Sequence, residues 1–304
     1  MVNYTNEKCY EFYGGKLVKK IIILAESGAD IPLDLATLHN IQVIPMHVIM
    51  GDSSYLDGSI PVTEVYDYYK KNKKIPSTSA TNPEEFHLLF KKIKDENPGC
   101  IILHIGYTSK ASCAYQNALI ASEGMEDIYH VDSLNVTGGQ GAIVLRAAEI
   151  IEKHPNIMIT NLIEEIQDYV ARARVSFIPG DLAYLRAGGR VSNAAYLGGT
   201  LLLIKPLIEI VDGKLISTQK FRGKMVSVAD KYMKEYIKRY NFDKEQLYLI
   251  YSLGLDESIK HNMEGIAKEE GFRKIIWIQA GCVITSHSGP GAIGIAGFEK
   301  VSSK

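Results

Sequence analysis

Thr285-Ser286-His287-Ser288-Gly289-Pro290-Gly291-Ala292-Ile293-Gly294 carries the spacing of a dinucleotide fingerprint at Gly289, Gly291 and Gly294. That fingerprint works only where a strand turns into a helix within a βαβ unit, with an acidic residue about 20 positions on. Only ten residues follow Gly294, so no such unit can be built on it. The stretch reads instead as a tight backbone pass that presents the imidazole of His287 and free N–H groups to a ligand.

Outward from this segment, the rest of the chain alternates strand and helix. Ile21-Ile22-Ile23-Leu24 is a short apolar run leading into the turn Glu26-Ser27-Gly28-Ala29-Asp30, and Val43 to Ile49 reads as a second strand. Asn82-Pro83-Glu84-Glu85 supplies an N-cap, a first-turn proline and two acids suited to the helix dipole. Phe86, Leu89, Phe90 and Ile93 follow at helical spacing. Next come a strand from Cys100 to Ile105, a helix from Ser112 to Ser122, a strand from Ile128 to Val131 and a helix carrying Ile143, Ala147, Ile150 and Ile151. Strand and helix alternating in this way predict an α/β fold whose first half holds a mostly parallel sheet, covered on both faces.

The texture changes near the helix carrying Leu162, Ile163, Ile166 and Val170, which places a boundary between residues 160 and 161. The expected division is a polar leader over 1–20, an N-terminal α/β domain over 21–160 and a C-terminal α/β domain over 161–304. In the second half Val175 to Ile178 reads as a strand, and the glycine-punctuated stretch from Tyr184 to Thr200 as short helical pieces. Leu207 to Val211 and Lys214 to Lys220 flank Asp212-Gly213, a pair suited to the type I′ turn of a hairpin. A helix with Tyr232, Met233, Tyr236 and Ile237 follows, and strands Leu247 to Ser252 and Lys274 to Gln279 frame a helix that starts at Asp256. A mixed sheet is expected there.

Composition narrows the function. The 304 residues are 46% hydrophobic and 23% charged, with a formal net charge of -1. A basic footprint for nucleic acid is therefore absent. Cys9, Cys100, Cys113 and Cys282 are too far apart for a zinc or redox motif and read as buried thiols. Asn6, Glu7 and Lys8 stand where a signal peptide needs an apolar run, and no stretch has the length of a membrane span, so a cytoplasmic location is expected.

Hydroxyls recur where the strands of a parallel sheet should end, the place where open α/β sheets bind ligands. They are Ser27; Ser77-Thr78-Ser79; Thr108-Ser109 with Ser112; and Ser133. Each alone is compatible with an ordinary cap or turn. A serine-type hydrolase acting on a lipid ester could be assembled from Ser109 or Ser286 with His287, although no G-x-S-x-G elbow accompanies them. The other histidines lack metal-ligand spacing, and no P-loop or protein-kinase signature is present. Arg186 and Arg190 flank Gly188-Gly189, Lys205 precedes Pro206, and Lys220 and Arg222 precede Gly223, so these cations stand on restrained backbone.

From Ile21 to Gly297 the chain resembles the DegV family of bacterial fatty-acid-binding proteins. The resemblance rests on Tyr184-Leu185-Arg186-Ala187-Gly188-Gly189-Arg190-Val191-Ser192 with Ile204-Lys205-Pro206, then Asp212-Gly213, Arg222-Gly223 and His287-Ser288-Gly289-Pro290-Gly291. It implies two α/β domains with a lipid tunnel between them and one long-chain fatty acid inside. It further implies that Thr78, Ser109 and His287 hold the carboxylate, with Ser27 and Ser79 close by. No cofactor is implied. A separate fatty acid kinase would use the presented carboxylate to form acyl-phosphate for phospholipid synthesis, with transient contact to a membrane surface. A tight arginine fork would compete with that kinase for the same oxygens, so Arg190 and Arg222 are assigned to partner docking or the phosphate side. A binder of another amphiphile is the remaining alternative.

The chain departs from the family pattern in three loops. Glu26 stands where the family usually has Asp, Thr78-Ser79-Ala80-Thr81-Asn82 lacks the usual Gln and Pro, and Ser112-Cys113-Ala114 replaces Ser-Gly-Thr.

Overall fold

A computed structural model describes residues 10–13, 16–191 and 203–301. In the leader, β1 (Tyr10–Tyr13) pairs antiparallel with β2 (Lys16–Lys19). The first apolar run becomes β3 (Ile21–Glu26), followed by a single 3-10 turn at Ser27–Ala29 and the short helix α1 (Leu33–Leu38).

The expected single strand over Val43 to Ile49 is two strands, β4 (Gln42–Ile44) and β5 (His47–Met50). Pro45 separates them, because it has no N–H to continue a ladder. β4 pairs parallel with β3, whereas β5 joins a separate antiparallel sheet with β6 (Ser53–Leu56) and, beyond helix α2 (Thr63–Asn72), β7 (Ser77–Ser79). This three-stranded sheet was not expected, since its strands are only three or four residues long.

α3 (Pro83–Glu96) starts with the full capping box. The Asn82 side chain accepts from the Glu85 N–H at 3.0 Å, and the Glu85 carboxylate accepts from the Asn82 N–H at 2.8 Å. β8 (Ile101–Gly106), α4 (Ala114–Ala121) and β9 (Ile128–Asp132) complete a parallel sheet of order β4-β3-β8-β9. α5 (Thr137–Lys153) then runs through the middle of the molecule, and all but its C-terminal end is buried.

α6 (Ile159–Arg172) packs on α5 and β9, so the expected boundary at 160/161 falls in its first turn. The second half is built from β10 (Ala173–Ile178), α7 (Leu182–Gly188), the hairpin β11 (Ile204–Val211) and β12 (Lys214–Arg222), then α8 (Met225–Arg239) and β13 (Gln246–Tyr251). α9 (Glu257–Glu269), β14 (Lys274–Gln279), α10 (Cys282–Ser288) and β15 (Ile293–Phe298) follow. Its sheet has the order β12-β11-β10-β15-β13-β14 and is mixed: β13 and β14 are parallel, and the other pairs are antiparallel. Asp212 and Gly213 both have positive φ, at 49° and 78°, as the type I′ turn requires. The part of the expected helical stretch from Ser192 to Thr200 lies outside the described residues.

The opening segment corrects the sequence reading most. Cys282 to Ser288 is a helix ended by Gly289, and Ile293 to Phe298 is a strand in the interior of the second sheet. His287 therefore sits on the last turn of a helix and not in a loop. The N–H groups of this pass are used within the protein as well. Gly289 donates to Thr285 O at 2.9 Å, Gly291 to Leu253 O at 3.2 Å and Ala292 to Ser252 Oγ at 2.8 Å.

The two sheets share one core. Ile23, Leu103 and Ile105 of the parallel sheet and Tyr248, Ile250 and Ala296 of the mixed sheet belong to one apolar cluster, joined through Ile143, Val144 and Ala147 of α5. Burying those faces removes apolar surface worth about 25 cal/mol per Å² and holds the halves at a fixed separation. Among the described residues no helix is long and apolar enough to cross a membrane.

Candidate functional site

α10 is pinned at its start by two buried acids from the first half. Asp30 accepts from the Gly281 N–H at 2.8 Å, and Asp57 accepts from the N–H groups of Cys282 at 2.9 Å and Val283 at 3.3 Å. Anionic or hydrogen-bond-accepting groups suit these otherwise unpaired helix donors. Burial raises the pKa of both acids above the usual carboxylate range, most strongly for Asp30, where the neighbouring Asp57 adds to it. Thr137 donates to Asp30 at 2.5 Å, and Ser27 donates to Asp57 at 2.8 Å while accepting from the Met46 N–H at 3.0 Å.

The other end of α10 meets β7. There Thr78 Oγ1 and His287 Nε2 lie 2.8 Å apart. The opposite ring nitrogen, Nδ1, is buried without a protein partner and is packed against Gly188, where a Cβ would stand 2.3 Å from it. Burial, reinforced by the positive charge of Arg190, lowers the His287 pKa to about 4, so the ring is neutral at physiological pH.

Thr78 and His287 border a cavity of about 290 Å³ between the two halves. Its wall is mostly apolar: Met46 and Val136 contribute from the first half, and Phe177, Leu185, Ile250 and Ile284 from the second. Its polar members include Ser79, Ser112, Ser288 and Arg190. Arg190 donates to Gly188 O at 2.8 Å and, more weakly, to Ala111 O at 3.5 Å, which ties the α7 end to the loop after β8.

Of the residues singled out from the sequence, Thr78, His287, Ser79 and Arg190 thus come together around the cavity. Ser109 does not join them. Its loop folds tightly after β8, with Ala111 and Ser112 N–H groups returning to Thr108 O at 3.2 and 3.3 Å. That leaves Ser109 exposed and out of the cavity lining, its N–H directed to Asp132, and brings Ser112 to the cavity wall. Ser27 stands outside the wall as well, committed to Asp57. Arg222 is exposed at the end of β12 and is not part of the cavity lining.

The hydrolase arrangement is not assembled. Ser286 donates to Cys282 O at 2.8 Å within its own helix, Ser109 lies outside the cavity, and the Nε2 of His287 meets Thr78.

Sequence reading did not single out Asp57, and it took Cys113 as a buried thiol. Cys113 is exposed and lines the cavity, whereas Cys100 and Cys282 are buried and Cys9 lies outside the described residues. The signal for Cys113 was its place in the departing Ser112-Cys113-Ala114 loop. Asp57 had none, because its role is created by the docking of α10 from 225 residues away.

The lengthened acid of the first turn also finds its reason. Glu26 is fully buried and accepts from the Tyr107 N–H at 2.9 Å and the Gln140 amide at 2.8 Å, and its other oxygen lies 3.2 Å from His104 Nε2. His104 Nδ1 in turn lies 3.1 Å from His130 Nδ1. Among the described residues no group of three or more His, Cys, Asp or Glu side chains is arranged to hold a metal ion.

Comparison with known proteins covers this architecture from β3 to β15. A family model described as "Uncharacterised protein, DegV family" matches residues 20–300. A DegV domain-containing protein of Clostridium acetobutylicum is 31% identical over 291 residues, which span 93% of this chain and 100% of that one. A solved Thermotoga maritima structure, described as revealing fatty acid binding function, superposes with a TM-score of 0.79 at 25% identity, covering 92% of this chain and 99% of that one. The fatty acid kinase B3 protein of Streptococcus pneumoniae, solved loaded with linoleic acid, shares the fold with a TM-score of 0.79 at 17% identity, covering 92% and 100% of the two chains.

Proposed function

The chain belongs to the DegV family, and from that premise we propose that it binds one long-chain fatty acid in the cavity between its halves and presents the carboxylate to a separate fatty acid kinase. The observation that carries the reading is the Thr78–His287 pair, a neutral hydrogen-bonding couple in a wall that is otherwise largely apolar.

The chemistry divides between tail and head. Burying an alkyl chain is worth about 0.8 kcal/mol per methylene, so about 14 methylenes supply roughly 11 kcal/mol before the costs of association. Affinity resides in the tail. A desolvated carboxylate needs hydrogen-bond donors, and Thr78, held by His287, offers one without a full ion pair. Ser112 is the loop hydroxyl that we assign to the head-group end, since Ser109 stands outside the cavity. Arg190, exposed and beside His287, suits the side from which a kinase brings phosphate, and Arg222 suits a more distant contact with that partner.

In this reading the protein itself performs no chemistry. The kinase forms acyl-phosphate for phospholipid synthesis in the cytoplasm, and lipid is exchanged during transient contact with a membrane surface. The fatty acid bound by the Thermotoga protein and the linoleic acid of the Streptococcus kinase component support this assignment.

The test is mass spectrometry of an organic extract of the purified protein, paired with titration of a fluorescent fatty acid. Co-purifying long-chain acid and saturable binding are expected. An extract without fatty acid, together with no binding, would overturn the reading, and another bound amphiphile would remove the kinase from it.

A further inference from the structure

The Thr78–His287 couple has fewer hydrogens to give than its composition suggests. A neutral imidazole carries one N–H, and the threonine hydroxyl carries one O–H. One of these two hydrogens lies in the 2.8 Å bond between them. If Thr78 donated to Nε2, the remaining N–H would sit on Nδ1, which is packed against Gly188 and has no room for a ligand. The useful tautomer therefore has Nε2–H donating to Thr78, which leaves the Thr78 hydroxyl as the couple's one donor to a bound acid. One donor from the couple, even with the Ser112 hydroxyl of the facing loop, leaves acceptor sites unmet on a carboxylate withdrawn from water.

A further donor stands one residue along α10 from His287. Ser288 is 5% exposed, lines the cavity, and its hydroxyl has no protein partner. The neighbouring Ser286 shows the alternative: its hydroxyl returns to the carbonyl four residues back, Cys282 O, at 2.8 Å. Ser288 makes no such bond, so turning its hydroxyl toward the cavity breaks nothing. An unpaired buried hydroxyl is destabilising, and an occupant that supplies an acceptor relieves that cost.

We propose that Ser288 donates a hydrogen bond to the carboxylate of the bound acid, alongside Thr78 and Ser112. The assignment rests on the cavity's being a fatty-acid site and adds to it a residue on the same helical turn as His287. Thr137 and Ser252, two other cavity hydroxyls, are already committed to Asp30 and Gly289 O.

The experiment measures palmitate affinity for the wild type, Ser288→Ala, and the isosteric pair Ser288→Thr and Ser288→Val, with Ser286→Ala as the control. Ser288→Ala is expected to bind roughly 5- to 30-fold more weakly, and Val more weakly than Thr by a similar factor. Carbon NMR of carboxyl-labelled palmitate should show a displaced carboxyl resonance in Ser288→Ala and Ser288→Val, and an unmoved one in Ser286→Ala. Comparing Thr with Val isolates the hydroxyl even if Ala alters packing. Equal or tighter binding by Ser288→Ala or Ser288→Val, or a carboxyl resonance at its wild-type position, would overturn the role of Ser288 while leaving fatty-acid binding intact. A wild type that binds no palmitate would instead defeat the reading of the cavity.

Discussion

Thr78 and His287 are 209 residues apart in the chain and meet at 2.8 Å, one from a three-residue edge strand and the other from the last turn of a seven-residue helix. Neither element is stable alone, so the meeting depends on how the two halves hold them. The first half pins the start of α10 through Asp30 and Asp57. The second half buttresses its end through Gly188.

The Gly188 contact gives the first prediction. A methyl group there would stand 2.3 Å from His287 Nδ1 and must push the ring off Thr78. Gly188→Ala should weaken fatty-acid binding at least tenfold. Gly189→Ala is the comparison: it places a side chain at φ 64° with no atom within 4 Å, so strain of about 1 kcal/mol is its main effect. Titration with a fluorescent fatty acid and thermal unfolding of both variants distinguish the two outcomes.

The electrostatics of His287 give the second. Burial and Arg190 hold its pKa at about 4, and burial with His104 lowers that of His130 to about 3. Ring NMR should show His287 neutral down to about pH 4, and Arg190→Gln should raise its pKa. Both groups resist protonation in the folded state but not in the unfolded chain. Their contribution to stability is therefore complete above the ordinary histidine pKa of about 6.5 and is lost as pH falls toward the folded values. Between pH 6.5 and 5 the two histidines pull the melting temperature down while Asp30 and Asp57, with raised pKa values, pull it up, so His130→Asn should lose less or gain more over that range than the wild type.

Asp57 gives the third. Asp57→Ala leaves the Cys282 N–H, the Val283 N–H and the Ser27 hydroxyl without their acceptor. Each unpaired buried donor costs about 1–3 kcal/mol. Denaturant unfolding should record a loss of at least 2 kcal/mol, with weaker lipid binding, because the released α10 carries His287. Asp57→Asn keeps an accepting oxygen and should lose less.

Glu26 gives the fourth. The presence of His104 Nε2 and the Tyr107 N–H holds its carboxyl below the usual range in spite of full burial, which opposes ionisation. Glu26→Asp restores the acid usual in the family pattern but withdraws it by one methylene from His104, Tyr107 and Gln140. A loss of about 1–3 kcal/mol is expected in denaturant unfolding. His104 and Glu26 form one unit, so pairing Glu26→Asp with His104→Gln should cost less than the sum of the two changes.

The elements that sequence made legible are those whose signal is local. The N-cap at Asn82, the type I′ turn at Asp212-Gly213 and the apolar run of β3 each state their structure within a few residues. α10 was hidden because six of its seven residues are buried, which removes the one-sided pattern that marks an amphipathic helix. β15 was hidden by Gly294 and Gly297, since glycine weakens a strand reading, yet a Cβ at Gly294 would come within 2.9 Å of Ser176 O. At the site, Thr78 and His287 were legible through their motifs. The resemblance selects Ser109 over Ser112, but the turn at Thr108 brings Ser112 and not Ser109 to the cavity wall.

The most direct measurement of the account is a crystal structure of the protein soaked or co-purified with palmitate. The acyl chain should fill the cavity walled by Met46, Val136, Phe177 and Leu185, with its carboxylate within hydrogen-bond distance of the Thr78 hydroxyl. A chain running the other way, with its carboxylate remote from Thr78 and His287, or a palmitate bound elsewhere on the surface, would contradict it.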